Sequence, residues 1–322
     1  MKFPEEVAIN EGSIEKVIAI YKKAYKEILG ELEHATNFGI KNRLQILKQI
    51  EVILKDLGVD TAKIIRDEIT RAYELGATES VEQLRYVGAE IKVARGFNRI
   101  HADAVEALVD DTQKSFLESL QGVKRSASQL LGKAVRQQIT ERLAVGTIGG
   151  KTLKDVQKSI IQTFREEGLT ALTSTYTNKN GTVVNRQWSL EQYSEMLIRT
   201  KAVEARNRGL INRMAENGYD LVQVSAHAGC DLCRPWEGKI LSVTGQTKGF
   251  PTVEQAEKSG LFHPNCRHAI NTLIPELAKV TNAYNPNVDT LTGKDFVDEV
   301  DEKYKKYYRP PNQIIATKTP SR

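Results

Sequence analysis

The chain has 322 residues, of which 40% are hydrophobic and 27% charged, and its formal net charge at pH 7 is +5. These values are ordinary for a soluble globular protein, and the length allows one large domain or two of average size. No apolar run approaches the length of a membrane span and the N-terminus lacks a signal-peptide core, so we expect no membrane partner.

The first 170 residues are predicted to be helical almost throughout. No proline occurs between Pro4 and Pro235, so long helices are not interrupted by that residue. One apolar stripe recurs at spacings of three and four, as on one face of an amphipathic helix. Its members are Val105, Leu108, Val109, Thr112, Phe116, Leu120 and Val123. Gly149-Gly150 should end this helical run, and Thr152 should begin another helix.

The sequence beyond residue 170 changes in character. The β-prone segments 173–177 and 182–184 flank Asn180-Gly181, a two-residue turn signature that predicts a β-hairpin. Ser189 followed by Gln192 three residues later predicts a capping box at the start of a helix that ends near residue 217.

Three short segments after this helix read as strands, over residues 221–224, 239–243 and 269–274. The sequence therefore predicts the α+β class: a long, mainly helical N-terminal region followed by a small α+β domain with a short antiparallel sheet. We expect helices over residues 1–170, the α+β domain over 171–275, and a weakly ordered basic C-terminal arm over 276–322.

Every cysteine of the chain lies in the segment 227–268, together with three of the five histidines. Cys230 and Cys233 have two residues between them, and so do His263 and Cys266. Two such pairs supply the four ligands of a closed tetrahedral zinc site. The spacing therefore predicts a structural zinc ion that would stabilise the small domain, bound by these four residues.

The choice of ligands stays open at this point. His227 lies three residues before Cys230, and His268 lies two residues after Cys266, so six side chains compete for four positions. Thiolates bind zinc most strongly, and His263 is preferred as the fourth ligand with His268 next. If only three bound, water would take the open position and Glu237 would be a candidate general base of a hydrolase or nuclease.

Other interpretations of the cysteines fit less well. A structural disulfide is disfavoured by the odd count and by a length that needs no stapling. A thioredoxin-like motif would continue into a helix, whereas Pro235 follows Cys233 closely. A base deaminase requires His-x-Glu, but Ala-Gly follows His227. His34 and His101 stand in helical, charge-rich sequence and are interpreted as satisfied core or surface groups.

Positive charge is unevenly distributed along the chain. Residues 113–160 carry nine Lys/Arg against three Asp/Glu, and residues 303–322 carry six Lys/Arg and no acid. Either segment can contact nucleic acid. A solvated helix face and a weakly ordered tail explain the same pattern equally well.

Four segments together carry a family resemblance: His101–Asp111, Trp188–Thr200, Cys230–Lys239 and Gly260–His268. They resemble the phage minor capsid protein 2 family, which is itself similar to Mu F-like head morphogenesis proteins in its His-Pro-Asn-Cys-Arg element. The resemblance implies a structural virion protein of a tailed phage or prophage, assembled in the host cytoplasm and located at the portal or inside the head. Portal and capsid proteins are the implied partners, with packaged DNA as a further candidate. It brings no catalytic residues and no small-molecule substrate.

Overall fold

The computed structural model describes residues 10–33, 40–144, 158, 162, 170–177, 183–226, 233–247 and 249–274. The helices are α1 (Glu11–Glu33), α2 (Ile40–Tyr86), α3 (Arg99–Ala144), α4 (Leu190–Glu216) and α5 (Val253–Lys258). The strands are β1 (Thr170–Thr177), β2 (Val183–Ser189), β3 (Leu221–Val224), β4 (Ile240–Ser242) and β5 (Ile270–Thr272). Outside the described residues lie His34, the break at Gly149-Gly150, the helix start at Thr152, the turn Asn180-Gly181 and the arm 276–322.

The predicted α+β class is confirmed. Long helices come first, and a three-stranded antiparallel sheet of order β4-β3-β5 follows. In its centre, Val222 pairs with Leu241 on one side and with Thr272 on the other. β1 and β2 form a separate antiparallel pair, as the hairpin prediction requires. Among the described helices, none combines the length and the apolar character needed to cross a membrane.

Two local predictions from the sequence are confirmed in detail. All seven residues of the predicted apolar stripe on α3 are buried, none with more than 8% of its surface exposed. At the start of α4, the Gln192 backbone N–H donates to Ser189 Oγ (3.2 Å) and the Ser189 N–H donates to Gln192 Oε1 (3.4 Å). α4 ends at Glu216, and Gly218 adopts φ 83°, the left-handed conformation that glycine supplies after a helix.

The chain forms two compact units, and each collects segments that are distant in sequence. One unit contains Asp67–Val109 and the described residues from Arg199 onward, and the other contains Glu11–Arg66 and Asp110–Ile198. Helices α2, α3 and α4 therefore each contribute residues to both units. The three-stranded sheet and all described metal-ligand candidates belong to the first unit.

Within the first unit, two glycines let the backbones of α2 and α4 meet. A β-carbon on Gly76 would overlap the carbonyl oxygen of Arg206, and one on Gly209 would overlap the carbonyl oxygen of Tyr73. Each helix thus presents a glycine where the other helix presents its backbone. This close approach fixes α4 on α2, and α4 in turn carries side chains that hold the sheet.

Arg206 and Gln83 connect these helices to β5. Arg206 is 1% exposed; its Nε donates to Glu79 on α2 (2.7 Å) and its Nη1 donates to the Ile270 carbonyl (2.6 Å). Gln83 Oε1 accepts from the Thr272 N–H (2.7 Å). A side chain of α2 therefore accepts a hydrogen bond from the backbone of an edge strand. Without it, this N–H group would be available for pairing with a strand of another chain.

His101 is a satisfied core histidine, as interpreted from the sequence. Its side chain is fully buried, with Nδ1 2.8 Å from the Tyr73 hydroxyl and Nε2 2.8 Å from Glu216 Oε2. Asn212 Nδ2 donates to the same hydroxyl (2.7 Å). Both ring nitrogens are thus occupied by groups of the fold, in keeping with a structural role for this histidine.

Replacing Gly209 with alanine tests the helix contact. The new methyl group would force α2 and α4 apart, so we expect Gly209→Ala to lower the free energy of unfolding by about 1–3 kcal/mol. Gly30→Ala is the control, because nothing lies within 4 Å of its β-carbon position in α1 and alanine favours a helix by up to about 1 kcal/mol. Urea denaturation measures both. Equal stability of Gly209→Ala and the wild type would contradict the packing described.

Candidate metal centre

A tight turn brings His263 and Cys266 together. The Cys266 N–H donates to the His263 carbonyl (2.8 Å), closing a four-residue turn with Pro264 second and Asn265, at φ 64°, third. Proline in the second position and a positive φ in the third are the requirements of a type II turn, and asparagine tolerates that conformation. The Asn265 N–H also donates to Thr200 Oγ1 on α4 (3.0 Å), which anchors the turn. The tight turn inferred from the two-residue gap is confirmed.

The opposite side of the site is built around Cys233 and Trp236. Cys233 directly precedes a single turn of 3-10 helix, Arg234–Trp236, and its carbonyl accepts from the Trp236 N–H (2.8 Å). Trp236 is 1% exposed and packs in the same apolar cluster as Cys233 and Cys266. The buried indole therefore holds this turn against the core and fixes the position of the thiol.

Three side chains converge at this place. The sulfur atoms of Cys233 and Cys266 are 3.4 Å apart, and together with a ring nitrogen of His263 they form a group whose ligand atoms all lie within 4.8 Å of one another. Two sulfurs bound tetrahedrally to zinc at about 2.3 Å lie roughly 3.8 Å apart. A disulfide needs about 2.05 Å, so these two cysteines are not joined by a disulfide. The three residues can hold a metal ion.

The contact with Pro264 determines the tautomer of His263. Its Nδ1 lies 2.8 Å from the Pro264 carbonyl oxygen, which can only accept a hydrogen bond, so Nδ1 carries the proton. That tautomer leaves the lone pair on Nε2. A backbone carbonyl that fixes one ring nitrogen while the other faces the ion is a common arrangement around ligating histidines.

His268 and Glu237 form a pair beside the three ligands. His268 is 1% exposed, with Nδ1 3.3 Å from the Cys266 sulfur and Nε2 3.0 Å from Glu237 Oε1. The imidazole therefore bridges a cysteine and a carboxylate. Glu237, considered from the sequence as a general base, is in contact with His268.

Hydrogen bonds with Cys233 and His268 favour the thiolate form of Cys266. The hydrogen bond with Cys233 lowers the pKa of Cys266 to about 4 in spite of burial, and the contact with His268 acts in the same direction. Burial lowers the pKa of His268, but its hydrogen bonds with Cys266 and Glu237 outweigh that effect and leave it above the usual value. A thiolate beside an imidazolium is the state in which the sulfur binds metals.

The structure thus brings together Cys233, His263 and Cys266 out of the predicted set. Cys230 and His227 lie outside the described residues, so their part in the site stays a prediction. The contact between His268 and Glu237 was missed from the sequence. The two residues are separated by 31 positions, and no spacing rule links them.

The chain was also compared with known proteins. No curated protein and no solved structure matches it. The sequence profile of the family described as phage minor capsid protein 2 matches residues 13–310 and so includes the long helices and the candidate metal ligands. The resemblance seen in the sequence is confirmed, and the chain belongs to the phage minor capsid protein 2 family.

Proposed function

We propose that this phage minor capsid protein is a structural component of the head of a tailed phage or prophage, located at the portal or in the head interior. We further propose that a zinc ion bound by Cys230, Cys233, His263 and Cys266 holds its C-terminal loops together. Family membership supports the virion role. The observation that carries the metal proposal is the convergence of two thiols and an imidazole within 4.8 Å.

The donor set favours zinc over other ions. Thiolates are soft ligands, which disfavours magnesium and calcium, and a mixture of sulfur and imidazole nitrogen in tetrahedral arrangement is typical of zinc. Cys230 is the proposed fourth ligand because a Cys-x-x-Cys spacing supplies two thiolates to one ion. The imidazolium of His268, next to Cys266, would offset part of the negative charge of three thiolates.

A bound ion would have a clear mechanical effect here. Cys233 and Cys266 are 33 residues apart, and the strands between and around them are only three or four residues long. An ion bound by residues at both ends would close the long loop between them, and this closure would remove conformational entropy that the open loop keeps. Structural zinc contributes an apparent binding free energy of about 10–16 kcal/mol in small domains, enough to decide whether they fold.

Metal analysis of single variants tests this ligand set. We expect one zinc ion per purified chain, absent from Cys233→Ser, His263→Ala and Cys266→Ser, because each removes a ligand. His268→Gln is the matched control: it should keep the ion with an affinity lowered about 10–100-fold, as for other residues that support a ligand. Elemental analysis and competition with a chelator measure this. Zinc retained in full by His263→Ala but absent from His268→Gln would show that the ligand set is wrong.

An exposed apolar stripe on α2 supports a contact with another phage protein. Leu44, Val52 and Val59 are 59%, 58% and 67% exposed. Their spacings of eight and seven residues put them on one side of the helix. A contiguous exposed apolar patch marks a protein contact, and these three residues would be part of such a patch. We propose that a portal or capsid protein covers this stripe.

Charged substitutions on the stripe test that contact. Val52→Glu combined with Val59→Glu should leave the purified protein folded, since both side chains are exposed, and should reduce its amount in particles at least tenfold. Lys23→Glu, at a position of α1 where the side chain is 76% exposed, is the control and should be incorporated normally. Immunoblots of particles made by a complemented deletion mutant give the readout. Normal incorporation of the double variant into particles would contradict a contact between this stripe and a portal or capsid protein.

One feature favours a second candidate function, a zinc-dependent hydrolase or nuclease. A cavity of about 330 Å³ borders His263 and is also lined by Glu257, whose pKa is raised by burial. A carboxyl group in such a position is a candidate general acid or base.

The variant Glu257→Gln distinguishes the structural role from the hydrolase. The structural role predicts unchanged particle yield and infectivity, whereas a hydrolase that the phage needs would become inactive with its zinc content intact.

A further inference from the structure

We propose that the end of the α2–α3 pair around Gly132 is a phosphate-binding surface for the backbone of duplex DNA. The inference rests on the proposed head association and deepens it, since packaged DNA is the polyanion available there. It uses residues of the second unit only and does not involve the metal centre. The phosphate surface comprises Arg43, Arg125, Lys133 and Arg136 around Gly132.

Charge is the first observation. Residues 40–50 and 121–140 together contain seven basic residues and no aspartate or glutamate. These are Lys41, Arg43, Lys48, Lys124, Arg125, Lys133 and Arg136. The two segments run antiparallel beside each other, because Arg43 Nη2 donates to Ser128 Oγ (3.3 Å) and Lys124 Nζ lies 2.7 Å from Glu51 Oε1. The cations of both helices therefore share one end of the pair and one positive field.

The geometry around Gly132 is the second observation. A methyl group at Gly132 would lie 3.7 Å from Arg136 Nη1 and 3.9 Å from Arg43 Nη2. Both guanidinium groups thus reach the same point above the α3 backbone, and their nitrogens are no farther apart than the sum of these distances. A phosphate that accepts one hydrogen bond from each nitrogen bridges roughly 8 Å, so it can bind both guanidinium groups through charge-assisted bonds.

Arg43 is already held in place for such a ligand. Its side chain is half-buried, and the bond to Ser128 orients the guanidinium group toward α3. Its Nε is buried and has no hydrogen-bond partner within the described part of the chain. Arg125, Lys133 and Arg136 are exposed, so a long polyanion can reach several cations at once.

The position of the surface favours DNA over an acidic protein. Arg43 precedes Leu44 by one residue and so lies about 100° around α2 from the apolar stripe proposed for protein contact. Apolar anchors, which carry most of the binding energy of protein interfaces, are thus displaced from the guanidinium pair. Repeated phosphates on a stiff duplex match a set of fixed cations without any apolar contribution.

A binding assay with a labelled random-sequence 30-base-pair duplex tests the proposal in the full-length, metal-loaded protein. Replacing two phosphate-binding cations with Arg43→Gln and Arg136→Gln should weaken binding at least tenfold at low salt. The slope of log K against log salt concentration should fall by about 1.8, at about 0.9 for each phosphate that is no longer neutralised. The control pair Lys23→Gln and Arg99→Gln removes the same charge from sites 76% and 93% exposed, and should change affinity less than twofold.

A second variant guards against a folding artefact. Gly132→Glu keeps both arginines and places a carboxylate between them, so it should weaken DNA binding as the double variant does. Identical salt slopes for wild type, control and double variant would overturn the proposal. So would saturable binding of inorganic phosphate that depends on Arg43 and Arg136 while DNA binding does not. Zinc content and incorporation into particles are measured independently of DNA binding. Failure of the DNA proposal can therefore be distinguished from failure of the proposed function.

Discussion

Two cysteine sulfurs held 3.4 Å apart in an apolar cluster, with no disulfide between them, are the constraint on which the C-terminal part of the molecule depends. Burying a thiolate is costly unless positive charge or a metal compensates for it. His268 supplies one positive group beside Cys266, and the imidazole of His263 supplies a neutral ligand within reach of both sulfurs. The strands near them are only three or four residues long.

The position of the candidate metal ligands depends in turn on how the three-stranded sheet contacts the helices. Gly76 and Gly209 let α2 and α4 touch through their backbones, and Arg206 passes from α4 to the carbonyl of Ile270 in β5. Thr200 of α4 binds the turn that carries His263. Direct contacts therefore connect α2 and α4 to the residues that could bind a metal.

Local features of the fold could be predicted from the sequence because each depends on residues a few positions apart. The capping box of Ser189 and Gln192, the turn from His263 to Cys266 and the buried stripe of α3 follow from spacing alone. The contact of His268 with Glu237 and the backbone contacts of Gly76 and Gly209 could not be predicted in this way. They join residues that are far apart in the chain, and only packing brings them together. The discontinuous units arise for the same reason, since single long helices serve both.

X-ray absorption spectroscopy at the zinc edge of the purified full-length protein tests the central claim most directly. We expect bound zinc with three sulfur ligands at about 2.3 Å and one nitrogen ligand at about 2.0–2.1 Å. A protein that carries no zinc, or a zinc ion surrounded only by nitrogen and oxygen, would contradict this claim.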